Sequence, residues 1–155
     1  MVFIKVRRLR FAFIGGAPLT VTLCRKMEPL AEIRERLRNR PDLHVVEEDK
    51  GIIVKAPSKH GFDVSFFDDG SEYTVSFDGW HEHFELADVA RALDCFCFGL
   101  SDKCRLKVCS RGGYNYKWTL EAFEDGKWVA YSTTGLLFLS FWRKKTVRYL
   151  SNGNA

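Results

Sequence analysis

His81-Glu82-His83, directly after Trp80, is the sharpest metal candidate in the chain. Imidazoles two residues apart on an extended segment project to the same side, and Cys95 and Cys97 follow downstream. Zinc, which accepts two nitrogens and two thiolates, is therefore the first chemistry to weigh. Helix geometry argues against the full set, because residues two apart on a helix point about 200° from one another. Cys104 and Cys109 are substitutes only if the fold brings them close. Paired histidines in an acidic turn are ordinarily solvated, so no metal or other cofactor is expected, and His81 and His83 stand as the metal candidates.

A cysteine nucleophile needs a base such as His81 or His83, and a carboxylate such as Asp78, Glu82 or Asp88 to orient the imidazole. None of the five cysteines (Cys24, Cys95, Cys97, Cys104 and Cys109) sits in a glycine-flanked strand-to-helix turn that would expose and activate a thiolate. They lie inside apolar stretches and are odd in number, which reads as buried, reduced thiols and a cytoplasmic location. The acidic pairs Asp68-Asp69 and Glu124-Asp125 each precede a glycine, and hairpin turns explain them: Asp tolerates left-handed geometry and Gly supplies positive φ. A small metal-dependent or cysteine-dependent enzyme centred on His81 and His83 is one alternative reading.

A second alternative is nucleic-acid binding. Lys103, Arg105 and Lys107 alternate along a strand, and Arg111-Gly112-Gly113-Tyr114-Asn115-Tyr116-Lys117-Trp118 follows. Cations for phosphates and rings for bases are what single-stranded binding requires. Alternation places Tyr114, Tyr116 and Trp118 on one face with Leu120, pointing into the core, and Lys117 outward. The expected surface is therefore basic but poor in aromatic residues. Trp142-Arg143-Lys144-Lys145 adds charge if it lies nearby, and otherwise reads as a solvated turn.

Charge distribution supports the leading reading, a non-enzymatic binding or assembly module. The chain carries 24 Lys and Arg against 20 Asp and Glu, for a net +4, too little for a uniform field that condenses it onto a polyanion. The charge is unevenly placed: residues 1–40 hold ten basic and three acidic side chains, whereas 41–85 hold three basic and eleven acidic. Such polarity steers a protein partner or a second copy of the chain into register through a sheet face or edge, a homodimer being one outcome. Candidate surface residues are Lys103, Arg105, Lys107 and Lys117 on the basic side, with Asp63, Glu72 and Thr74 on the acidic side. A small ligand is also compatible with this reading.

These residues are carried by one globular domain spanning 1–155, long enough to bury a core without disulfide or metal staples. Met1 to Arg10 is basic and Phe11 to Cys24 uncharged, like a secretory signal, but Gly15, Gly16 and Pro18 interrupt the run. A strand or hairpin within residues 2–24 is the expected alternative, with Phe3, Ile4, Phe11, Phe13 and Ile14 available to an anionic membrane surface. No segment has the roughly 18 uninterrupted apolar residues of a membrane span. The pattern from Glu28 to Arg38 predicts an amphipathic helix with Pro29 in its first turn and Leu30, Ile33 and Leu37 on one face. Strands are predicted at His44 to Glu48, Gly51 to Lys55, Gly61 to Phe67 and Glu72 to Phe77. A second helix is predicted over about Glu85 to Gly99, with a stripe of Leu86, Val89, Ala90, Leu93 and Phe96 or Cys97. Strands recur at Lys103 to Ser110, Tyr114 to Phe123, Lys127 to Thr133, Leu136 to Trp142 and Thr146 to Leu150, with residues 151–155 as a tail. An offset of 56 residues aligns Leu30, Ala31, Ile33 and Leu37 with Leu86, Ala87, Val89 and Leu93, and Asp69-Gly70 with Asp125-Gly126. The expected fold is α+β: two pseudo-equivalent halves (about 26–80 and 82–136), each a helix and four antiparallel strands, sharing one core.

Overall fold

A computed structural model describes residues 28–136 and 142–153. Helix α1 (Pro29–Arg38) leads into strands β1 (Val45–Glu48), β2 (Gly51–Val54), β3 (Val64–Asp68), β4 (Glu72–Phe77) and β5 (Trp80–Glu85). A single 3-10 turn (Leu86–Asp88) precedes helix α2 (Val89–Gly99), and strands β6 (Cys104–Arg111), β7 (Tyr114–Glu124), β8 (Lys127–Gly135) and β9 (Lys145–Leu150) follow. The class is α+β, with two antiparallel sheets ordered β1-β2-β3-β4-β5 and β8-β7-β6-β9. The N-terminal strand or hairpin expected within residues 2–24 lies outside the described residues, as does most of the strand expected from Leu136 to Trp142.

Alternation sets the inner face of the five-stranded sheet. Ile52, Val54, Val64, Phe66, Tyr73, Val75, Phe77, Trp80 and Phe84 are all buried there, and α2 covers them. One cluster joins these residues to Ile33 of α1, Cys95 and Phe96 of α2, and Leu106, Val108, Trp118 and Leu120 of the other sheet. The core is thus common to both sheets. Leu30 and Leu37 pack against it beside Ile33, as the spacing on α1 predicts.

The expected helix begins later than its sequence suggests. Glu85 ends β5 and residues 86–88 form the 3-10 turn, which leaves Leu86 and Ala90 exposed. The buried stripe of α2 is Ala92, Leu93, Cys95, Phe96 and Gly99. Gly99 is required by contact, since a Cβ there would lie 2.4 Å from the Phe77 ring. At the 56-residue offset β2, β3 and β4 fall on β6, β7 and β8, but β1 falls on the turn before β6. In space β6 is flanked instead by β9 from the C-terminal end, so the second half contributes three described strands where four were expected. Residues 151–153, expected as a tail, are tied down. Asn152 accepts a bond from the Phe62 N–H at 2.9 Å and donates to the Phe62 and Gly99 carbonyls, and the Ser151 N–H donates to the His60 carbonyl.

The sheets are locked together at the β4–β5 hairpin. Its turn is Asp78-Gly79, with Asp78 at φ 51°, a left-handed conformation that Asp tolerates better than most residues. The Trp118 indole of β7 lies directly on Gly79, where a Cβ would come within 2.3 Å of the ring. Its Nε1–H donates to Asp78 Oδ2 at 3.0 Å. A second indole crosses the other way, with Trp80 Nε1–H donating to Ser132 Oγ of β8 at 2.8 Å. Each buried ring therefore packs its apolar body in the core and satisfies its one polar atom across the sheet boundary.

Candidate functional site

On β6, Cys104, Leu106 and Val108 are buried in the core, which turns Lys103, Arg105 and Lys107 to the outer face of the four-stranded sheet. The register brings their neighbours alongside. Arg105 faces Glu121, Lys107 lies between Thr119 and Tyr149, and Cys109 pairs with Lys117. Arg105 Nε–H donates to Glu121 Oε2 at 2.6 Å, and Glu121 is only 7% exposed. The Arg105 guanidinium lies 4.3 Å from the ring centres of both Trp128 and Tyr149. Trp128 is rooted on β8 and Arg105 on β6, so the two side chains meet over β7, the strand that carries Glu121. Phe123 continues the row, its ring centre 5.1 Å from that of Trp128. Lys103 lies over Phe123 at 5.3 Å and Lys107 beside Tyr149 at 5.9 Å.

This arrangement corrects the expectation of an aromatic-poor basic surface. The rings come from Phe123, Trp128 and Tyr149, which strand pairing places next to the cations although they are far away in sequence. A sequence signal exists: Phe123 and Trp128 flank the Asp125-Gly126 turn, and Tyr149 sits two residues from Val147 in an alternating strand. What the sequence lacks is the pairing of β9 with β6. The aromatic residues expected inside also divide. Trp118 and Leu120 are buried, but Tyr116 is half-buried and Tyr114 is 65% exposed. A register shift at Cys109/Ser110 skips Tyr116 and ends the alternation that the count from Trp118 assumed. The basic block near Trp142 does come close: Lys145 pairs with Arg111, and Arg111 donates to the Arg143 carbonyl.

The outer face of the five-stranded sheet has the opposite character. His81 and His83, expected in a loop, lie on β5 because Trp80 and Phe84 alternate into the core and leave them on the outer side. Their ring centres are 5.3 Å apart. His83 Nδ1 lies 2.7 Å from Glu72 Oε1 and 3.1 Å from Thr74 Oγ1, so two acidic-side candidates meet a histidine. Burial and the neighbouring His83 imidazole hold His81 below the usual histidine pKa. Asp63 stands apart from these residues: the Lys55 ammonium and the Ala56 N–H bind its carboxylate. Partial burial works against ionisation there, but these two donors prevail and hold the carboxyl below the usual range. Asp63 lines a cleft of about 470 Å3 with Lys59, Ser65, Ser76, Asp78 and Arg148.

The cysteines lie elsewhere. Cys95 is fully buried on the inner face of α2, on the opposite side of the five-stranded sheet from His81 and His83. Burial pushes the Cys95 and Cys104 thiols well above the usual range, the direction that suppresses a thiolate. Cys97 is half-buried, with Arg36 Nη1 at 3.2 Å from its sulfur. Asp78 is engaged by Trp118 and Asp88 by Arg91. Among the described residues no three His, Cys, Asp or Glu side chains gather as metal ligands would, and no helix is long and apolar enough to cross a membrane.

Of the asymmetry between residues 1–40 and 41–85, only the acidic part builds a sheet, since 1–27 lie outside the described residues; the four-stranded sheet has a basic excess of its own. The segment 41–85, with its eleven acids, builds the five-stranded sheet, while 103–150, with ten basic and three acidic side chains, builds the four-stranded one. The molecule is an α+β protein with one acidic and one basic, aromatic-lined sheet. Comparison with protein-family models, with curated proteins and with solved structures finds no match.

Proposed function

We propose that the protein is a non-catalytic binding module that holds a negatively charged macromolecule against the outer face of its four-stranded sheet. The observation that carries this reading is the row of Phe123, Trp128, Arg105 and Tyr149 with lysines at both ends. Among the described residues, Lys107, Lys117 and Lys145 have no carboxylate within ion-pair distance. Their charge is available to a partner, whereas that of Arg105 is already balanced by Glu121. Cations without local partners raise the encounter rate with a polyanion and set its orientation.

The test uses fluorescein-labelled heparin as a generic polyanion, with fluorescence anisotropy at about 50 and 200 mM salt. Binding that weakens steeply with salt, and is lost in the Lys103→Glu, Lys107→Glu, Lys117→Glu triple variant, is the expected result. Binding unchanged by the triple variant would remove this face from the reading. A second reading rests on the same polarity, because the acidic sheet of one copy complements the basic sheet of another. Head-to-tail contact of this kind gives rings where the rotation closes and open filaments where it does not, so it is expected as salt-sensitive oligomers larger than a dimer in sedimentation velocity.

A further inference from the structure

We infer that the macromolecule held on this face is single-stranded nucleic acid, with bases stacked on the aromatic row and phosphates at the lysines around it. The inference rests on the anion-binding reading and adds to it the class of ligand. Lysines alone would serve an acidic peptide, a sulfated glycan or a nucleic acid equally. The row between them separates these classes. Phe123, Trp128, Arg105 and Tyr149 pack one against the next at spacings of 5.1, 4.3 and 4.3 Å, on a sheet that supports them from behind. Tyr149 is 50% exposed and Phe123 is exposed as well, so the row is open to solvent at both ends.

The Arg105–Glu121 pair explains how such a row is held. With its charge balanced at 2.6 Å by a buried carboxylate, Arg105 is held between the Trp128 and Tyr149 rings and fixes their positions, leaving the exposed surface of the row to Tyr149 and Phe123. The cations left for phosphates are peripheral: Lys103 at the Phe123 end, Lys107 at the Tyr149 end, and Lys117 and Lys145 beyond them. Bases in the middle and phosphates at the edge is the layout of a sheet that stacks unpaired bases. A duplex keeps its base faces inside the stack and cannot use the rings. An acidic peptide such as polyglutamate engages the lysines and leaves the row without a role, and a sulfated glycan is separated by comparing labelled heparin with the oligothymidylate on the Tyr149→Ala variant.

The experiment compares four fluorescein-labelled probes by anisotropy: an oligothymidylate of about 15 nucleotides, an abasic oligomer of the same length and charge, a duplex, and polyglutamate. Tyr149→Ala, Tyr149→Phe and the triple lysine variant are tested on the same probes. The expected result is that the oligothymidylate binds about tenfold or more tighter than the abasic oligomer, which isolates stacking from charge. Tyr149→Ala is expected to lose about tenfold on the oligothymidylate only, Tyr149→Phe to restore it, and thermal melting of the variants to match the parent protein. If the abasic oligomer, the duplex or polyglutamate binds as tightly as the oligothymidylate, this inference fails while the anion-binding reading stands. If none of the four binds and labelled heparin does not bind either, both fail.

Discussion

Replacing Gly79 by Ala places one methyl group where the two sheets meet, and its cost follows from the Trp118 contact. Gly79 lies outside the left-handed region, so alanine strains no backbone torsion and the penalty is steric. The new Cβ would sit 2.3 and 2.4 Å from Cε2 and Cζ2 of the indole, against an optimum of about 3.5–4.0 Å for carbon pairs. The ring must retreat by about 1 Å or more, which stretches its 3.0 Å bond to Asp78 past hydrogen-bond range. Forced repacking costs about 1–3 kcal/mol and an orphaned, buried N–H about as much again. The chain-entropy gain from Gly to Ala returns about 0.4–1 kcal/mol. A net loss of about 3 kcal/mol corresponds, in a domain of this size, to a fall in Tm on the order of 10 °C. Thermal unfolding followed by near-ultraviolet circular dichroism measures it, and a double variant with Trp118→Phe should be less than additive because the smaller ring leaves room. A Tm within about 2 °C of the parent protein would refute the claim that Gly79 is required by the indole.

The same hairpin yields a chemical contrast. Asp78→Asn keeps both a carbonyl acceptor for the indole and tolerance of φ 51°, and should cost under about 1 kcal/mol, whereas Asp78→Ala loses both and should cost about 2–3 kcal/mol in urea unfolding. Because His81 is held below its ordinary pKa, the unfolded chain binds that proton first as pH falls. The stability His81 contributes is complete above about pH 6.5 and declines as pH drops through that value. Urea midpoints between about pH 7.5 and 5.5 should show this decline, and His81→Asn should flatten it. Asp63 and Asp69 are also held low, and their contribution is lost only below about pH 4. Alkylation of the folded protein by iodoacetamide should concentrate on Cys97 among the described cysteines, because Cys95, Cys104 and Cys109 are buried. Peptide mapping that finds Cys95 or Cys104 modified first would contradict the burial.

Local patterns revealed most of the elements. Pro29 with Leu30, Ile33 and Leu37 marks α1, and strict alternation marks β4 at the bounds observed. The Asp125-Gly126 turn is also as expected, with Asp125 at φ 48° and Gly126 at φ 77°. Strand β5 was hidden because Glu82 interrupts its apolar face between Trp80 and Phe84, so the histidines looked like turn residues. The candidate site was half legible for a related reason. The alternation of Lys103, Arg105 and Lys107 is local information, whereas the rings that complete the face depend on β9 returning to pair with β6 and on Trp128 meeting Arg105 over β7. Both are tertiary facts without a local signature. Tyr114 and Tyr116 misled in the opposite direction, since one register shift changes which face a residue occupies.

An amide chemical-shift map of the isotope-labelled protein, titrated with the oligothymidylate, tests the central claim most directly. Perturbations are expected along Lys103 to Lys107, Lys117 to Trp128 and Lys145 to Tyr149, the strands that carry the cations and the rings. Perturbations confined to residues 45–85, the acidic sheet, or none at saturating ligand, would contradict the account.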